Sequence, residues 1–129
     1  MVEELLKTGR HTVTAITRSD SNTDLPAGIT LRQVDYSDKS SIVKALQGQD
    51  ALVITLGGAA PKEVQSALIQ AAVEAKVRFI LPNEWSPDTA HEGLLKDVMV
   101  FATKPAAREE IQTLGKDQTG YIAVVTGFW

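Results

Sequence analysis

A chain of 129 residues, 43% of them hydrophobic, is long enough for one domain with a sizeable core and too short for two. Its lack of cysteine excludes disulfides and thiolate metal sites, and a formal net charge of -3 leaves no basic footprint for nucleic acid. The longest run dominated by apolar residues, Ala51 to Leu56, falls far short of the roughly 20 residues that span a bilayer, and no basic-then-apolar secretion signal opens the chain, so no membrane partner and a cytoplasmic location are expected by elimination.

In chain order, Met1 to Gly9 reads as the back half of a helix that feeds a strand over His11 to Thr17. Ser19 to Gly28 is rich in Ser, Asn, Asp and Pro and predicts a surface loop. A second strand is expected over Ile29 to Val34, then a helix over Lys39 to Leu46 with Ile42, Val43 and Leu46 on one face. A third strand follows over Ala51 to Leu56. A helix over Lys62 to Ala75 carries the stripe Val64, Ala67, Leu68, Ala71, Ala72 and Ala75, with Pro61 in its first turn. Val77 to Leu81 forms the fourth strand, and Ser86 to Val98 an irregular stretch with a short helix near its end. Lys104 to Leu114 makes the last helix, with Pro105 early and Gly115 just beyond, before a fifth strand over Tyr121 to Thr126. The strands are nearly continuous in apolar residues, as expected where helices cover both faces of a parallel sheet. The alternation therefore predicts an α/β, Rossmann-like, doubly wound, mostly parallel sheet.

Ligands of such sheets sit at the carboxyl ends of the strands. Thr17-Arg18-Ser19 ends the first strand, and a guanidinium flanked by hydroxyls there suits a phosphate; arginine at this strand end accommodates the 2′-phosphate of NADP. The competing reading is a surface arginine paired with Asp20 or water. Thr55-Leu56-Gly57-Gly58-Ala59 ends the third strand, where glycine allows close approach of a flat ligand or simply makes a turn. Pro82-Asn83-Glu84-Trp85-Ser86-Pro87 is a loop fit to shape a pocket, or a rigid proline-bounded loop with Trp85 as its anchor. Lys104 opens the last helix; a lysine directed into a cleft orients a ribose or exchanges a proton, whereas most lysines solvate a helix end. Val100 stands four residues before it, so the Tyr-x-x-x-Lys pair of ordinary short-chain dehydrogenases is absent. His91-Glu92 begins like a zinc-protease helix, but Leu95 replaces the second histidine.

The segments VEELLKTGRHTVTAITRS, GITLRQVDYSDKSSIVKALQGQDALVITLGG, VRFILPNEWSPDT, ATKPAAREEIQ and GYIAVVTGFW together resemble the NmrA-like and isoflavone-reductase-like branch of the atypical short-chain dehydrogenases. The resemblance spans nearly the whole chain. It implies an NADP-binding domain derived from an oxidoreductase, with Arg18 at the 2′-phosphate and the Gln33-Val34-Asp35 region near the adenine. Thr55, Leu56 and Gly57 then line the dinucleotide, Pro82, Asn83 and Glu84 lie beside the nicotinamide, Lys104 is the active-site lysine, and Gly127-Phe128 borders the substrate cleft.

Family members also carry a first strand and a Gly-x-x-Gly-x-x-Gly turn before the helix whose tail corresponds to Val2 to Thr8, and a second domain after the last strand. Neither is encoded here, so the expectation is an internal piece of a larger gene product or a short gene model. Weak or absent NADP binding follows, because the glycine turn and helix N-terminus form the main pyrophosphate cradle. In the strand order 3-2-1-4-5-6 the missing strand is central, so its neighbours must close a gap of about 4.8 Å or leave backbone unpaired at roughly 1 to 3 kcal/mol per buried group. Three functions are carried forward: an NADP-linked oxidoreductase acting on a small-molecule substrate, a non-catalytic NADP sensor acting on a protein partner, and an inactive fragment.

Overall fold

The computed structural model describes residues 1–21, 24–57, 60–98, 101 and 104–127; the expectations at Gly58, Ala59, Val100 and Phe128 lie outside the described residues. The chain divides into two compact units, Met1–Ala45 and Leu46–Trp129.

In the first unit, α1 (Val2–Lys7) places Glu3 and Glu4 in its first turn and Lys7 in its last, the order that complements the helix dipole. It packs on β1 (Val13–Arg18), which pairs in parallel with β2 (Ile29–Val34), Val13 opposite Ile29 through Arg18 opposite Val34. The strand starts two residues later than expected. Next comes α2 (Lys39–Leu46), where Ile42, Ala45 and Leu46 are buried. Arg32 reaches from β2 to donate Nη1 to the carbonyls of Lys44 and Ala45 at 3.2 and 3.1 Å, supplying partners to carbonyls that a helix end leaves open.

The second unit contains β3 (Ala51–Val53), α3 (Lys62–Glu74), β4 (Phe79–Leu81), α4 (Glu92–Asp97), α5 (Lys104–Gly115) and β5 (Gly120–Tyr121). Its ladder has the order β3-β4-β5, with β4 parallel to both neighbours. Leu52, Ile54, Leu68, Ile69, Ala72, Val77, Ile80, Ala107 and Ile111 fill the core. Leu68, Ala71 and Ala72 of the expected α3 stripe are buried, and so is Ile69, off that stripe. Its helix packs against α5. A polar seam joins the two helices: Ser66 Oγ and Gln70 Nε2 both donate to Glu110 Oε1, at 2.5 and 3.1 Å.

The fold is thus the α/β arrangement with parallel strands that the sequence predicts, in two ladders rather than one sheet: among the described residues β1 and β3 share no ladder. Smaller departures have local causes. The third and fifth strands are shorter than expected because regular pairing gives way to single contacts, Ile54 N to Leu81 O at 2.9 Å and a lone parallel bridge between Ser86 and Val125. Pro61 precedes α3 as its N-cap, with φ -58° and ψ 140°, instead of opening its first turn. Gly115 is the last residue of α5, and Lys116, at φ 47°, takes the left-handed position that glycine usually fills. A Cβ at Gly115 would lie 2.9 Å from Thr119 Cβ, so this glycine serves close packing.

Candidate functional site

In the first unit, β1 delivers Arg18 to its carboxyl end, and the turn beyond closes with Ser21 N donating to Arg18 O at 3.0 Å. Ser19 lies exposed in that turn. The Arg18 side chain is 74% exposed, and its Nε stands 3.7 Å from Asp20 Oδ1, too far for a strong hydrogen bond. Both readings of this arginine therefore have a structural basis: the Asp20 pair forms, loosely, and leaves a cation facing solvent. Burial raises the pKa of Tyr36 while the charge of Arg18 opposes the rise. Thr17 is half-buried, and its Oγ1 is buried with no hydrogen-bond partner among the described residues. Asp35, after β2, folds its carboxylate into a local turn: Oδ1 accepts from Ser37 N at 2.8 Å and from Ser37 Oγ at 2.6 Å. The Ser37 hydroxyl, then its backbone N–H, hold the Asp35 carboxyl below the usual value.

In the second unit, the carboxyl ends of the strands gather the remaining candidates. Thr55 and Gly57 are exposed and Leu56 is half-buried. A Cβ at Gly57 would meet nothing within 4 Å among the described residues, so no packing among them requires glycine there. The loop after β4 is pinned from several elements. Asn83 N donates to Gln65 Oε1 of α3 at 2.9 Å and Asn83 Nδ2 to Leu56 O at 3.0 Å. Trp85 Nε1 donates to Ile54 O at 2.7 Å, and Thr126 N to Ser86 O at 3.0 Å. Trp85 sits at φ 27°, a sterically disfavoured backbone for a large side chain, held by these bonds. Pro82 is fully buried and Glu84 is 4% exposed, so within this loop they offer an outside ligand little but backbone.

The feature that unifies the loop is Lys104. Its Nζ donates to Asn83 O at 3.1 Å and to Glu84 O, and lies 5.6 Å from the centroid of the Phe101 ring. An ammonium has three donors; two go to carbonyls, and the third has no partner among the described residues. Burial pushes the pKa of Lys104 down, and the Glu84 charge partly restores it. Two partners that sequence reasoning missed stand behind it. Arg108 Nε lies 3.7 Å from Glu84 Oε1 and its Nη2 donates to Thr89 O at 3.1 Å, while Thr89 Oγ1 donates to Glu84 Oε2 at 2.6 Å. The available signal was the spacing: Arg108 is four residues after Lys104 and so shares its helix face. His91, set aside as a broken zinc motif, caps α4 by accepting from Leu94 N at Nδ1, 3.3 Å away. A recess of about 240 Å³ lined by Arg78, Phe79, Lys116 and Thr119 lies at the amino ends of β4 and β5, the wrong rim for this chemistry.

Parallel α/β units, the first with a solvent-facing arginine at a strand tip and the second with a lysine held on the loop after β4, have the features of a nucleotide-binding protein. The chain belongs to the NAD(P)H-binding family, whose model matches residues 1–124. Its homologues are isoflavone-reductase-like oxidoreductases. It is 32% identical over 120 residues to the oxidoreductase aprR of Aspergillus flavus, covering 92% of this chain and 40% of that protein. It is 30% identical over 105 residues to the isoflavone reductase homolog IRL of Zea mays, covering 80% of this chain and 33% of that protein. The chain thus spans well under half the length of these relatives. Its fold matches the structure of AtPrR2 with NADP+ and (+)pinoresinol at a TM-score of 0.78 and 22% identity, covering 95% of this chain and 44% of that one. Among the described residues, no helix is long and apolar enough to cross a membrane.

Proposed function

We propose that this chain is the NADP(H)-binding part of an oxidoreductase in which Lys104 assists proton transfer to or from a small carbonyl or reduced-carbon substrate. The observation that carries the reading is the fixed Lys104 ammonium, held on two loop carbonyls, its third donor without a partner among the described residues and its pKa lowered by burial. A lysine so placed gives up or takes a proton more readily near neutrality than an exposed one, and its spare N–H can orient a hydroxyl or carbonyl oxygen. The nicotinamide, when bound, supplies or accepts the hydride. In the first unit, the exposed Arg18 fits the extra phosphate that distinguishes NADP from NAD, and this residue supports the choice between the two. The open backbone at Gly57 suits the approach of a flat ligand. Asn83, through its tie to the end of β3, keeps the rim in shape.

The test is NADPH oxidation by this chain with candidate carbonyl substrates, alongside Lys104→Ala. Turnover should fall about 100-fold or more in the variant, the range of a lost general acid or base. Unchanged turnover removes Lys104 from the reaction. Binding of NADPH without turnover of any substrate replaces the oxidoreductase with a sensor that acts through a protein partner.

A further inference from the structure

We propose that Glu84 and Arg108 are positioning residues that together hold the ammonium of Lys104 at the rim, an inference that rests on the reading of Lys104 given above. Glu84 is an acid in a polar loop, yet its side chain is turned into the protein and 4% exposed. There Thr89 Oγ1 donates to one carboxylate oxygen at 2.6 Å and Arg108 stands 3.7 Å from the other. A buried carboxylate is tolerated only when paired, so the Arg108 contact fixes where Glu84 can lie. The main-chain carbonyl of the same residue accepts from Lys104. Glu84 is therefore gripped twice by α5: at its side chain by Arg108, and at its backbone by Lys104 one helical turn earlier. Sliding or lifting of the loop relative to the helix would break both contacts at once.

The arrangement also sets the electrostatics of the lysine. Glu84 Oε1 is buried and accepts no hydrogen bond among the described residues, so its charge is offset chiefly by the Arg108 guanidinium and acts on Lys104 as well. Among the described residues the charge that acts on the ammonium is Glu84 from the loop, whose own partner is Arg108, one turn along the lysine's helix; Phe101 contributes a neutral ring. Glu84 favours the protonated lysine, and Arg108 moderates Glu84.

The experiment is a titration of the lysine ε-carbons by NMR in the whole chain, with the Lys104 signal assigned by its loss in Lys104→Met. In Glu84→Gln the Lys104 midpoint should move to lower pH, because burial then acts unopposed. In Arg108→Gln, with the amide spectrum of α5 intact, it should move to higher pH, because Glu84 is no longer offset. Unfolding releases a buried lysine towards its ordinary, higher value, so a fall in Glu84→Gln cannot come from loss of structure. An unchanged or raised midpoint in Glu84→Gln, or an unchanged or lowered one in folded Arg108→Gln, overturns the proposal; loss of the fold in one variant leaves the other to decide. These midpoints do not depend on turnover. Normal turnover in Lys104→Ala would remove the lysine from the chemistry without moving them, and unmoved midpoints would remove the positioning pair while leaving the lysine's role standing.

Discussion

The strand-end arginine offers the sharpest quantitative test of cofactor choice. Arg18→Ala removes a guanidinium that is 74% exposed and tied to Asp20 only at 3.7 Å, so the substitution disturbs little inside the protein. A hydrogen bond to a charged group contributes about 1.5 to 3 kcal/mol, but exposure and salt screening pull the value here to the bottom of that range or below it. Taking about 1 to 2 kcal/mol, NADPH should bind roughly 5- to 30-fold more weakly to the variant. NADH, which lacks the 2′-phosphate, should bind equally to both forms. The assay is calorimetry or nicotinamide fluorescence, run to millimolar cofactor because the ratio between variant and parent is informative at any absolute affinity. Raising ionic strength should shrink the NADPH difference and leave NADH unaffected. Equal weakening of both cofactors, or of neither, would refute the assignment of Arg18 to the phosphate.

Three stability predictions follow from particular contacts. Gly115→Ala forces a methyl to within 2.9 Å of Thr119 Cβ and strains the bond from Thr119 Oγ1 to Val77 O, 2.8 Å in length. Overpacking of about 1 to 3 kcal/mol, less up to about 1 kcal/mol of improved helix propensity, should lower the urea midpoint, and a midpoint at or above the parent's would contradict the packing argument. Trp85→Phe keeps an aromatic ring but leaves the carbonyl of buried Ile54 without its indole donor, at a cost of about 1 to 2 kcal/mol by chemical denaturation. Asp35 and Asp38 both have lowered carboxyl pKa values through bonds from Ser37 and Ser40, so their stabilisation is present above the ordinary value of 3.8 and is lost as pH falls through the lower folded values. Ser37→Ala and Ser40→Ala should flatten that acid limb in a pH series of melting temperatures.

Much of this architecture was legible from local pattern. The second strand and the helix over Lys39–Leu46 appear with the bounds that periodicity gives them, because apolar spacing and flanking turn residues agree there. What escaped is set by tertiary contact. Nothing local marks Trp85 for a positive φ; the conformation follows from its bond to Ile54 across the rim. The resemblance implies that Glu84 lies beside the nicotinamide; local pattern does not show that its carboxylate is directed to Thr89 and Arg108, one from the loop and the other from a helix 24 positions on. Lys104 stands out at the start of the last helix and through the resemblance, but its grip on two carbonyls depends on how the loop folds back, which spacing does not encode. The division of the five strands into two ladders, β1-β2 and β3-β4-β5, is likewise set by pairing between distant segments, which local pattern does not encode.

That division leaves both β1 and β3 with one flank that hydrogen-bonds to no ladder neighbour among the described residues. Main-chain rows of this kind template recruitment of an extended segment, and the apolar Ala51-Leu52-Val53-Ile54 stretch is the stickier of the two. Concentrated solutions of this polypeptide should therefore self-associate through strand addition, and a short Val- and Ile-rich peptide supplied in trans should suppress the clumping by saturating the same flanks.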